Sequence, residues 1–265
     1  MTIHLPRAPF AAFLAVVAGL GGSARAAECS NTGARFEAWK DQFSLEARAH
    51  GVGEAGLSAL ADTHYNTATI SADRGQHSFR LSLDQFMAKR GGNVIVSQGR
   101  RLKQTNAPMF ASIEERYGVP PGPLLAIWGM ETGFGKIRGN QEVISAAATL
   151  AYDCRRSAYF TDQLYAALEL VDKGVLQSGS RGSMHGEVGH TQFLPKNILQ
   201  YGVGGSLDVA QNALASTANF LRAHGWQRGA GYQPGEPNFA AIQAWNAASV
   251  YEQSIAIIGQ RIDND

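Results

Sequence analysis

The stretch GVPPGPLLAIWGMETGFG, residues 118–135, decides the fold and carries the most informative side chain of the sequence. Prolines stand near its start, where the first turn of a helix has no backbone hydrogen bond to lose. The apolar run that follows places Leu124 and Trp128 on one helix face, and Glu131 continues that stripe. A Gly-x-Gly sequence then ends the helix. The pattern predicts an apolar helix that ends on a carboxyl group.

The position of Glu131 predicts unusual acid–base chemistry. Apolar sequence neighbours such as Trp128 and Phe134 disfavour its ionised form, and the negative end of the helix dipole acts in the same direction. Both effects raise the pKa, so we expect a protonated carboxyl group near neutral pH, as a proton donor to a glycosidic oxygen requires. The alternative is a structural glutamate paired with a buried arginine such as Arg138 or Arg181, because ion-pair networks also perturb carboxyl groups.

Helical patterns dominate the rest of the chain. Apolar residues recur at three- and four-residue spacing, whereas alternating strand patterns are scarce. We therefore predict a mainly α domain with few or no strands. The predicted helical regions are 36–47, 81–87, 94–117 with a kink or break at Pro108, 146–150, 159–171, 206–224 and 250–262. Glycine-rich segments at 133–139 and 179–189 lie between them.

Two further motifs follow downstream. In GSMHGEVGHTQFLP, residues 182–195, the glycines let a sugar ring lie close to the backbone, and Ser183 and Gln192 offer hydrogen bonds to a glutamate or a sugar. A glycine loop leading into a helix would explain the glycines alone. The third motif is NFAAIQAWN, residues 238–246, with Tyr251 beyond it. By itself it is a weak signal, because a capping asparagine and a core tyrosine look the same.

Together the three motifs resemble those of the lytic murein transglycosylases of the membrane-bound lytic transglycosylase B type, glycoside hydrolase family 103. The resemblance covers about residues 36–262. It implies a lysozyme-like α domain with a substrate groove, in which Glu131 is the catalytic residue. It also implies that the matched side chains bind substrate: Ser183, Gln192, Asn246 and Tyr251. The family often has a tyrosine where this chain has Trp245, which keeps an aromatic body and lacks the hydroxyl.

The resemblance implies a non-hydrolytic reaction on bacterial peptidoglycan, without a cofactor. Glu131 would protonate the oxygen between N-acetylmuramic acid (MurNAc) and N-acetylglucosamine (GlcNAc), and the 2-acetamido oxygen would stabilise the anomeric cation. Attack by the muramyl O6 would then leave a 1,6-anhydro-MurNAc end. Two alternatives stay open: a hydrolytic lysozyme-type muramidase, and a non-catalytic peptidoglycan-binding protein.

Glu187 is an additional carboxyl group within the second motif, at a position where the family often has no acid. We predict that it contacts substrate, with a second catalytic carboxylate as the alternative. A zinc site with His185 and His190 is disfavoured, because Gly186 and Gly189 oppose the helix that such a site requires. We predict no metal ligands here.

Some relatives carry a calcium-binding loop of the EF-hand kind after the second motif. The corresponding segment here, residues 201–208, is short and has one carboxylate, Asp208, where calcium needs several oxygen ligands. We therefore predict no structural calcium. A chelator should leave the melting temperature unchanged, and a large drop would contradict this prediction.

The N-terminal segment, residues 1–26, has the features of a secretory signal peptide. Arg7 precedes an apolar run at 10–20, and Ala24 and Ala26 give the small-x-small pattern before a cleavage site. The run is shorter than the roughly 20 residues that span a membrane. We expect a periplasmic or secreted protein whose mature chain, residues 27–265, is a single catalytic domain.

Cysteine content and charge fit this location. Cys29 and Cys154 are the two cysteines, and in an oxidising compartment they can form one disulfide, with two free thiols as the alternative. The chain has 23 basic and 22 acidic residues, a balance that gives no electrostatic case for nucleic acid. We expect a monomer that binds peptidoglycan glycan strands and has no transmembrane segment after the signal.

Overall fold

The computed structural model describes residues 27–75 and 81–264, which form thirteen α-helices and one antiparallel pair of short strands. A 3₁₀ turn, Gly33–Arg35, precedes the first helix. The helices are α1 (Phe36–Ala49), α2 (Glu54–Ala61), α3 (Thr67–Arg74), α4 (Leu83–Lys89), α5 (Gly92–Thr105), α6 (Ala107–Tyr117), α7 (Pro121–Thr132), α8 (Val143–Tyr152), α9 (Ser157–Asp172), α10 (Pro195–Tyr201), α11 (Ala210–Ala223), α12 (Phe239–Trp245) and α13 (Ser249–Asp263). The strands are β1 (Gln141–Glu142) and β2 (Arg181–Gly182).

Helix α7 lies at the centre of the fold. The four residues from Leu124 to Ile127 have no solvent exposure, and only Pro121 and Glu131 of this helix are partly exposed. A helix that is apolar on all sides is buried on all sides. The single apolar stripe predicted from the sequence is therefore incomplete, because neighbouring helices enclose α7 all round.

Glycines allow the neighbours of α7 to approach closely. Its most extensive contacts are with α13, and α5 also packs against it. A Cβ atom on Gly122 would lie 2.3 Å from the carbonyl oxygen of Gly259 in α13. At the contact with α5, a Cβ on Gly129 would lie 2.4 Å from Cγ2 of Ile95. Both positions therefore require glycine for the helices to pack at this distance.

A second group of helices surrounds the α8–α9 pair. Helices α2 and α10 pack against α9, while α11 contacts α6 and α10. Gln141 of β1 pairs with Gly182 of β2, so the strands tie the segment after α7 to the second motif. This short ladder brings two of the three sequence motifs side by side.

The N-terminal segment of the described chain is fastened to the α8 end. The predicted disulfide between Cys29 and Cys154 is present, and the amide of Ser30 donates to the carbonyl of Tyr152 at 2.9 Å. The amide of Ala27 donates to the carboxylate of Glu46 on α1. The predicted signal peptide, residues 1–26, lies outside the described residues.

The predicted helical regions are confirmed, with boundaries that differ by up to four residues. The break near Pro108 separates α5 from α6 at Asn106. Helix α11 begins at Ala210 instead of residue 206, because the Ser206 hydroxyl accepts the amide of Asp208 at 3.2 Å and forms a local turn that competes with the helix. In the described ranges, none of the helices has the length and apolar character that a membrane span requires.

Candidate active site

The C-terminal end of α7 presents Glu131. Gly133 has the left-handed backbone conformation (φ 56°) and ends the helix, with its amide donating to the carbonyl of Gly129 at 3.1 Å. Phe134 is also left-handed (φ 63°), which is uncommon for a residue with a side chain. Its ring packs edge-on against Trp128 at 5.5 Å between centroids, a contact that helps to hold this backbone. The tight reversal places Glu131 at the surface end of a buried helix.

Two donors from the C-terminal part of the chain hold the Glu131 carboxyl group. The hydroxyl of Tyr251, in the first turn of α13, donates to Glu131 Oε1 at 2.6 Å. The indole Nε1–H of Trp245, the last residue of α12, donates to the same oxygen at 3.2 Å. Trp245 thus supplies a donor of its own, in addition to the aromatic body that the sequence predicted.

The environment favours the neutral form of Glu131. Burial is the largest effect and raises the pKa of Glu131, the charge of Glu187 acts in the same direction, and the resulting pKa is about 7 against the usual 4.5. The hydrogen bonds from Tyr251 and Trp245 and the charge of Arg90 lower the pKa, and they offset only part of the rise. A large fraction of the Glu131 side chains is therefore protonated at neutral pH.

The arginines predicted as alternative partners of Glu131 bind elsewhere. Arg138 forms an ion pair with Asp208 at 2.7 Å. Arg181 lies 3.3 Å from the carboxylate of Glu142 and donates to the carbonyl of Asn140 at 2.9 Å. The structural ion-pair alternative for Glu131 is therefore wrong.

Ser183 and Glu187 form a second polar group in the glycine-rich motif. The Ser183 hydroxyl donates to Glu187 Oε2 at 2.8 Å. Its oxygen accepts the backbone amides of His185 and Glu187, each at 3.1 Å. The backbones of Ser183 and Glu187 are also joined, with the amide of Ser183 donating to the Glu187 carbonyl at 2.9 Å. Ser183 therefore orients the carboxylate of Glu187.

Gln192 closes the same loop. Its backbone is left-handed (φ 57°), and its side-chain amide donates to the carbonyls of Gly189 at 2.9 Å and Arg138 at 3.3 Å. Val188 and Phe193 pair as an antiparallel bridge on either side of it. Strained backbone held by several contacts is typical of functional loops.

His190 joins this loop to the end of α7. Trp128 Nε1 donates to His190 Nδ1 at 2.9 Å, so the ring proton resides on Nε2, which faces the carbonyl oxygen of Asp208 at 3.1 Å. The hydroxyl of Thr132 donates to the His190 carbonyl at 2.7 Å. Burial is the main effect that lowers the pKa of His190, and the charge of Arg138 adds to it. The ring therefore stays neutral while it accepts the hydrogen bond from Trp128. The sequence did not predict this connection, because no spacing rule links Trp128 to His190.

Asn246 is the remaining predicted site residue. It ends α12, and its side chain accepts the amide of Ala248 at 3.0 Å, so it shapes the turn that carries Trp245 and Tyr251 towards Glu131. The aromatic rings nearby divide into core and rim. Phe193 is 1% exposed and belongs to the core, whereas Trp245 is partly exposed.

The histidines of the loop lack the neighbouring ligands that a metal ion needs. Among residues 27–75 and 81–264, no group of three or more His, Cys, Asp or Glu side chains could hold a metal ion. Asp208, the lone carboxylate of the short segment after the loop, is the ion-pair partner of Arg138.

Comparison with known proteins identifies the family. Residues 35–235 match the transglycosylase SLT domain family. The chain belongs to this family. The first two motifs lie within the SLT domain match, and the third follows it directly.

Individual relatives agree with this assignment. The chain is 36% identical over 137 residues to membrane-bound lytic murein transglycosylase B of Escherichia coli (strain K12), an alignment that covers 46% of this chain and only 38% of that protein. SltB3 from Pseudomonas aeruginosa, solved in complex with NAG-anhNAM-pentapeptide, superimposes with a TM-score of 0.79 at 27% identity, covering 86% of this chain and 79% of that one. Slt35 of Escherichia coli, solved in complex with calcium, gives a TM-score of 0.74 at 21% identity over 85% and 92% of the two chains, a likeness of fold alone.

These comparisons confirm the predicted fold class and family type. The chain is mainly α and has a lysozyme-like fold. Its resemblance to the membrane-bound lytic transglycosylase B type is confirmed. The roles of its individual side chains stay predictions.

Proposed function

We propose that this protein is a peptidoglycan lytic transglycosylase that cleaves the MurNAc–GlcNAc β-1,4 bond and leaves 1,6-anhydro-MurNAc ends. The proposal rests on the protonation state and the position of Glu131. It is a carboxyl group that burial keeps largely protonated at neutral pH, it has no arginine partner among the described residues, and it keeps partial access to solvent at the end of a buried helix.

The geometry supports one residue acting as both acid and base. Glu131 donates its proton to the glycosidic oxygen as the C–O bond breaks, and the GlcNAc hydroxyl leaves. The 2-acetamido oxygen of the substrate stabilises the anomeric carbon. Glu131, now a carboxylate, removes the proton from the muramyl O6, and O6 bonds to the anomeric carbon. The residue ends the cycle protonated, and no water is consumed.

The neighbours of Glu131 have roles consistent with this cycle. Tyr251 and Trp245 donate to one carboxyl oxygen, which leaves the other oxygen to carry the transferred proton. Both donors also stabilise the carboxylate that forms midway. Five side chains are proposed to line the substrate site: Ser183, Glu187, Gln192, Asn246 and Tyr251.

The biological setting belongs to the same proposal. Peptidoglycan lies outside the cytoplasmic membrane, so the protein would be periplasmic or secreted, with residues 1–26 as its signal peptide. We propose a monomer with one catalytic domain, residues 27–265, acting on glycan strands without a cofactor. The disulfide between Cys29 and Cys154 is consistent with an oxidising compartment.

Digestion of purified peptidoglycan tests the reaction. Wild-type protein should release muropeptides with anhydro ends, each lighter by one water than the hydrolysed product in mass analysis. The Glu131→Gln variant should be slower by at least about 100-fold, the usual contribution of a general acid–base residue. The matched control is Glu169→Gln, which replaces an exposed glutamate of α9 that pairs with Lys173. This variant should retain full activity.

Each alternative predicts a different result. Reducing ends without anhydro products would identify a hydrolytic muramidase. Wild-type release by Glu131→Gln would contradict the acid role, and absence of any release would favour a binding protein.

A further inference from the structure

The first turn of α7 has one backbone amide that needs a partner from outside the helix. The N–H groups of a first turn have no acceptor within their own helix. Pro120, Pro121 and Pro123 have no N–H, so Gly122 carries this amide. The amide of Gly122 donates to Oδ1 of Asp263 at 2.8 Å. Asp263 is the last residue of α13, so the end of α13 caps the start of α7.

Asp263 is itself held in place by other parts of the fold. Its second carboxyl oxygen, Oδ2, accepts the hydroxyl of Tyr232 at 2.8 Å. The buried Tyr232 ring lies 5.6 Å from the ring of Trp226, whose indole donates to the carbonyl of Gly118 at 3.0 Å, just before α7. The ammonium group of Lys103, on α5, donates to the backbone carbonyl of Asp263 at 3.1 Å. Both the side chain and the backbone of Asp263 are therefore fixed at the start of α7.

Helices α7 and α13 are antiparallel and are joined at both ends. At the opposite end from Asp263, the hydroxyl of Tyr251, in the first turn of α13, donates to Glu131 at 2.6 Å. From Tyr251 to Asp263 the helix extends roughly 18 Å, at about 1.5 Å per residue. Between the two hydrogen bonds the backbones are in contact, because a Cβ added to Gly259 would lie 3.0 Å from the nitrogen of Pro123. The cap and the site are thus connected by one closely packed helix.

We propose that Asp263 is a positioning residue, which sets the register in which Tyr251 meets Glu131 by fastening the end of α13 to the first turn of α7. The contact of Gly122 with Gly259 brings the backbones close but has no side chains that interlock. A directed hydrogen bond therefore fixes the helices along their axes. A small slide of α13 lengthens the hydrogen bond to Glu131, and hydrogen bonds tolerate only a few tenths of an ångström. This inference rests on the proposed acid role of Glu131.

The test is the titration of Glu131 in the intact protein, followed by its ¹³C-carboxyl resonance. Asp263→Ala removes the cap, so the hydrogen bond from Tyr251 should weaken. Because that hydrogen bond favours the carboxylate form, the midpoint should rise by roughly half to one pH unit. Loss of the Asp263 charge alone acts in the opposite direction, because a negative charge disfavours the ionisation of another carboxyl group. A lowered or unchanged midpoint would therefore overturn the proposal.

A double-mutant cycle separates positioning from a general loss of stability. In Tyr251→Phe the hydrogen bond to Glu131 is already absent, so the further change Asp263→Ala should leave the midpoint where Tyr251→Phe alone has placed it. An equal rise in both backgrounds would refute the inference, because the effect would then not pass through Tyr251.

Asp263→Asn is a milder variant with the same loss of charge. Its one amide oxygen replaces the two carboxyl oxygens that accept from Gly122 and Tyr232, so the cap is weakened and not lost. The Glu131 midpoint should lie between those of wild type and Asp263→Ala. An unchanged midpoint in Asp263→Asn would contradict the proposal even if Asp263→Ala does not fold.

The chain offers a closely matched control in Asp172. This residue ends α9, and its carboxylate accepts the amides of Gly53 and Gly56 at the start of α2, at 2.7 and 2.8 Å. Asp172→Ala also removes a cap between two helices, but neither helix carries Glu131 or Tyr251. It should leave the Glu131 midpoint unchanged. A rise equal to that of Asp263→Ala would count against a specific role for Asp263.

The resonance measurement separates this inference from the proposed function. Glu131 titrates even in a protein that cleaves no glycan, so the expected midpoints without any cleavage would contradict only the enzymatic assignment. Peptidoglycan cleavage with a midpoint that does not respond to Asp263→Ala would contradict only the positioning role.

Discussion

A large fraction of Glu131 stays protonated near neutral pH because burial acts on its charge more strongly than two hydrogen bonds do. Burial and the charge of Glu187 raise the pKa of Glu131, and the hydrogen bonds from Tyr251 and Trp245 lower it by part of that increase. Each pKa unit corresponds to about 1.4 kcal/mol of differential interaction between the two protonation states. Small changes around one oxygen atom therefore move the pH range in which the protein can donate a proton.

Removal of the Tyr251 hydroxyl should raise the pKa of Glu131. In Tyr251→Phe the carboxylate loses its shortest hydrogen bond, at 2.6 Å, while the ring still fills the core. The alkaline limb of activity should move to higher pH, because Glu131 then keeps its proton to a higher pH. Carboxyl titration by NMR measures the change. The control is Tyr165→Phe, in α9, whose ring stacks on His50. A downward shift of the midpoint would contradict this account.

Replacement of Glu131 by glutamine should stabilise the protein. The folded-state pKa of Glu131 is raised, so folding favours its protonated form, and stability falls as pH rises from 4.5 to about 7. Glu131→Gln removes this loss and should be more stable by about 2–3 kcal/mol at pH 7.5, with little difference at pH 4. Urea denaturation at the two pH values measures it. Equal stability at pH 7.5 would show that the carboxylate is well solvated.

Among the elements, α7 depends on close packing against α5. In Gly129→Ala the new Cβ would lie 2.4 Å from Ile95 Cγ2 and 3.0 Å from the Phe134 ring. Inserting a carbon into a filled core costs about 1–3 kcal/mol, more than the gain in helix propensity from glycine to alanine. Thermal denaturation should show a lower melting temperature. Gly179→Ala, where an added Cβ meets nothing within 4 Å, is the control and should be nearly neutral.

The helices that were predictable from sequence are those with long apolar repeats. Helices α1, α5, α9 and α13 have that pattern, and the prediction places them well. The patterns did not predict α2, α3, α10 or α12, which have at most eight residues each. So few residues show only about two turns of periodicity, and their stability comes from packing in the fold. A capping signal existed for α3, where the Asn66 side chain accepts the amide of Thr69 at 3.1 Å.

The sequence alone pointed to Glu131, but it predicted less about the residues that surround this side chain. Glu131 stands out because an ionisable group that continues an apolar stripe is costly to bury and is often functional. The donor role of Trp245 and the His190 bond to Trp128 depend on contacts between distant elements. Sequence spacing describes one helix at a time, so it could not place these partners.

On the scale of the whole molecule, the disulfide closes a loop of the chain between residues separated by 125 positions. Such a bond restricts the unfolded chain, and its loss typically costs about 2–5 kcal/mol. Cys29→Ser combined with Cys154→Ser should therefore unfold at lower denaturant concentration. Because the disulfide does not involve Glu131 or its donors Tyr251 and Trp245, the activity of the folded variant should stay near wild type. An unchanged unfolding midpoint would show that the bridge contributes little.

The site is assembled from parts that are far apart along the chain. Glu131 and its tyrosine donor are 120 positions apart, and the tyrosine belongs to α13, the last helix of the described chain. During synthesis the carboxyl group therefore leaves the ribosome long before the segment that orients it. A chain interrupted ahead of position 251 would contain Glu131 without its tyrosine partner, so this carboxyl group gains its shortest hydrogen bond only after translation has reached α13.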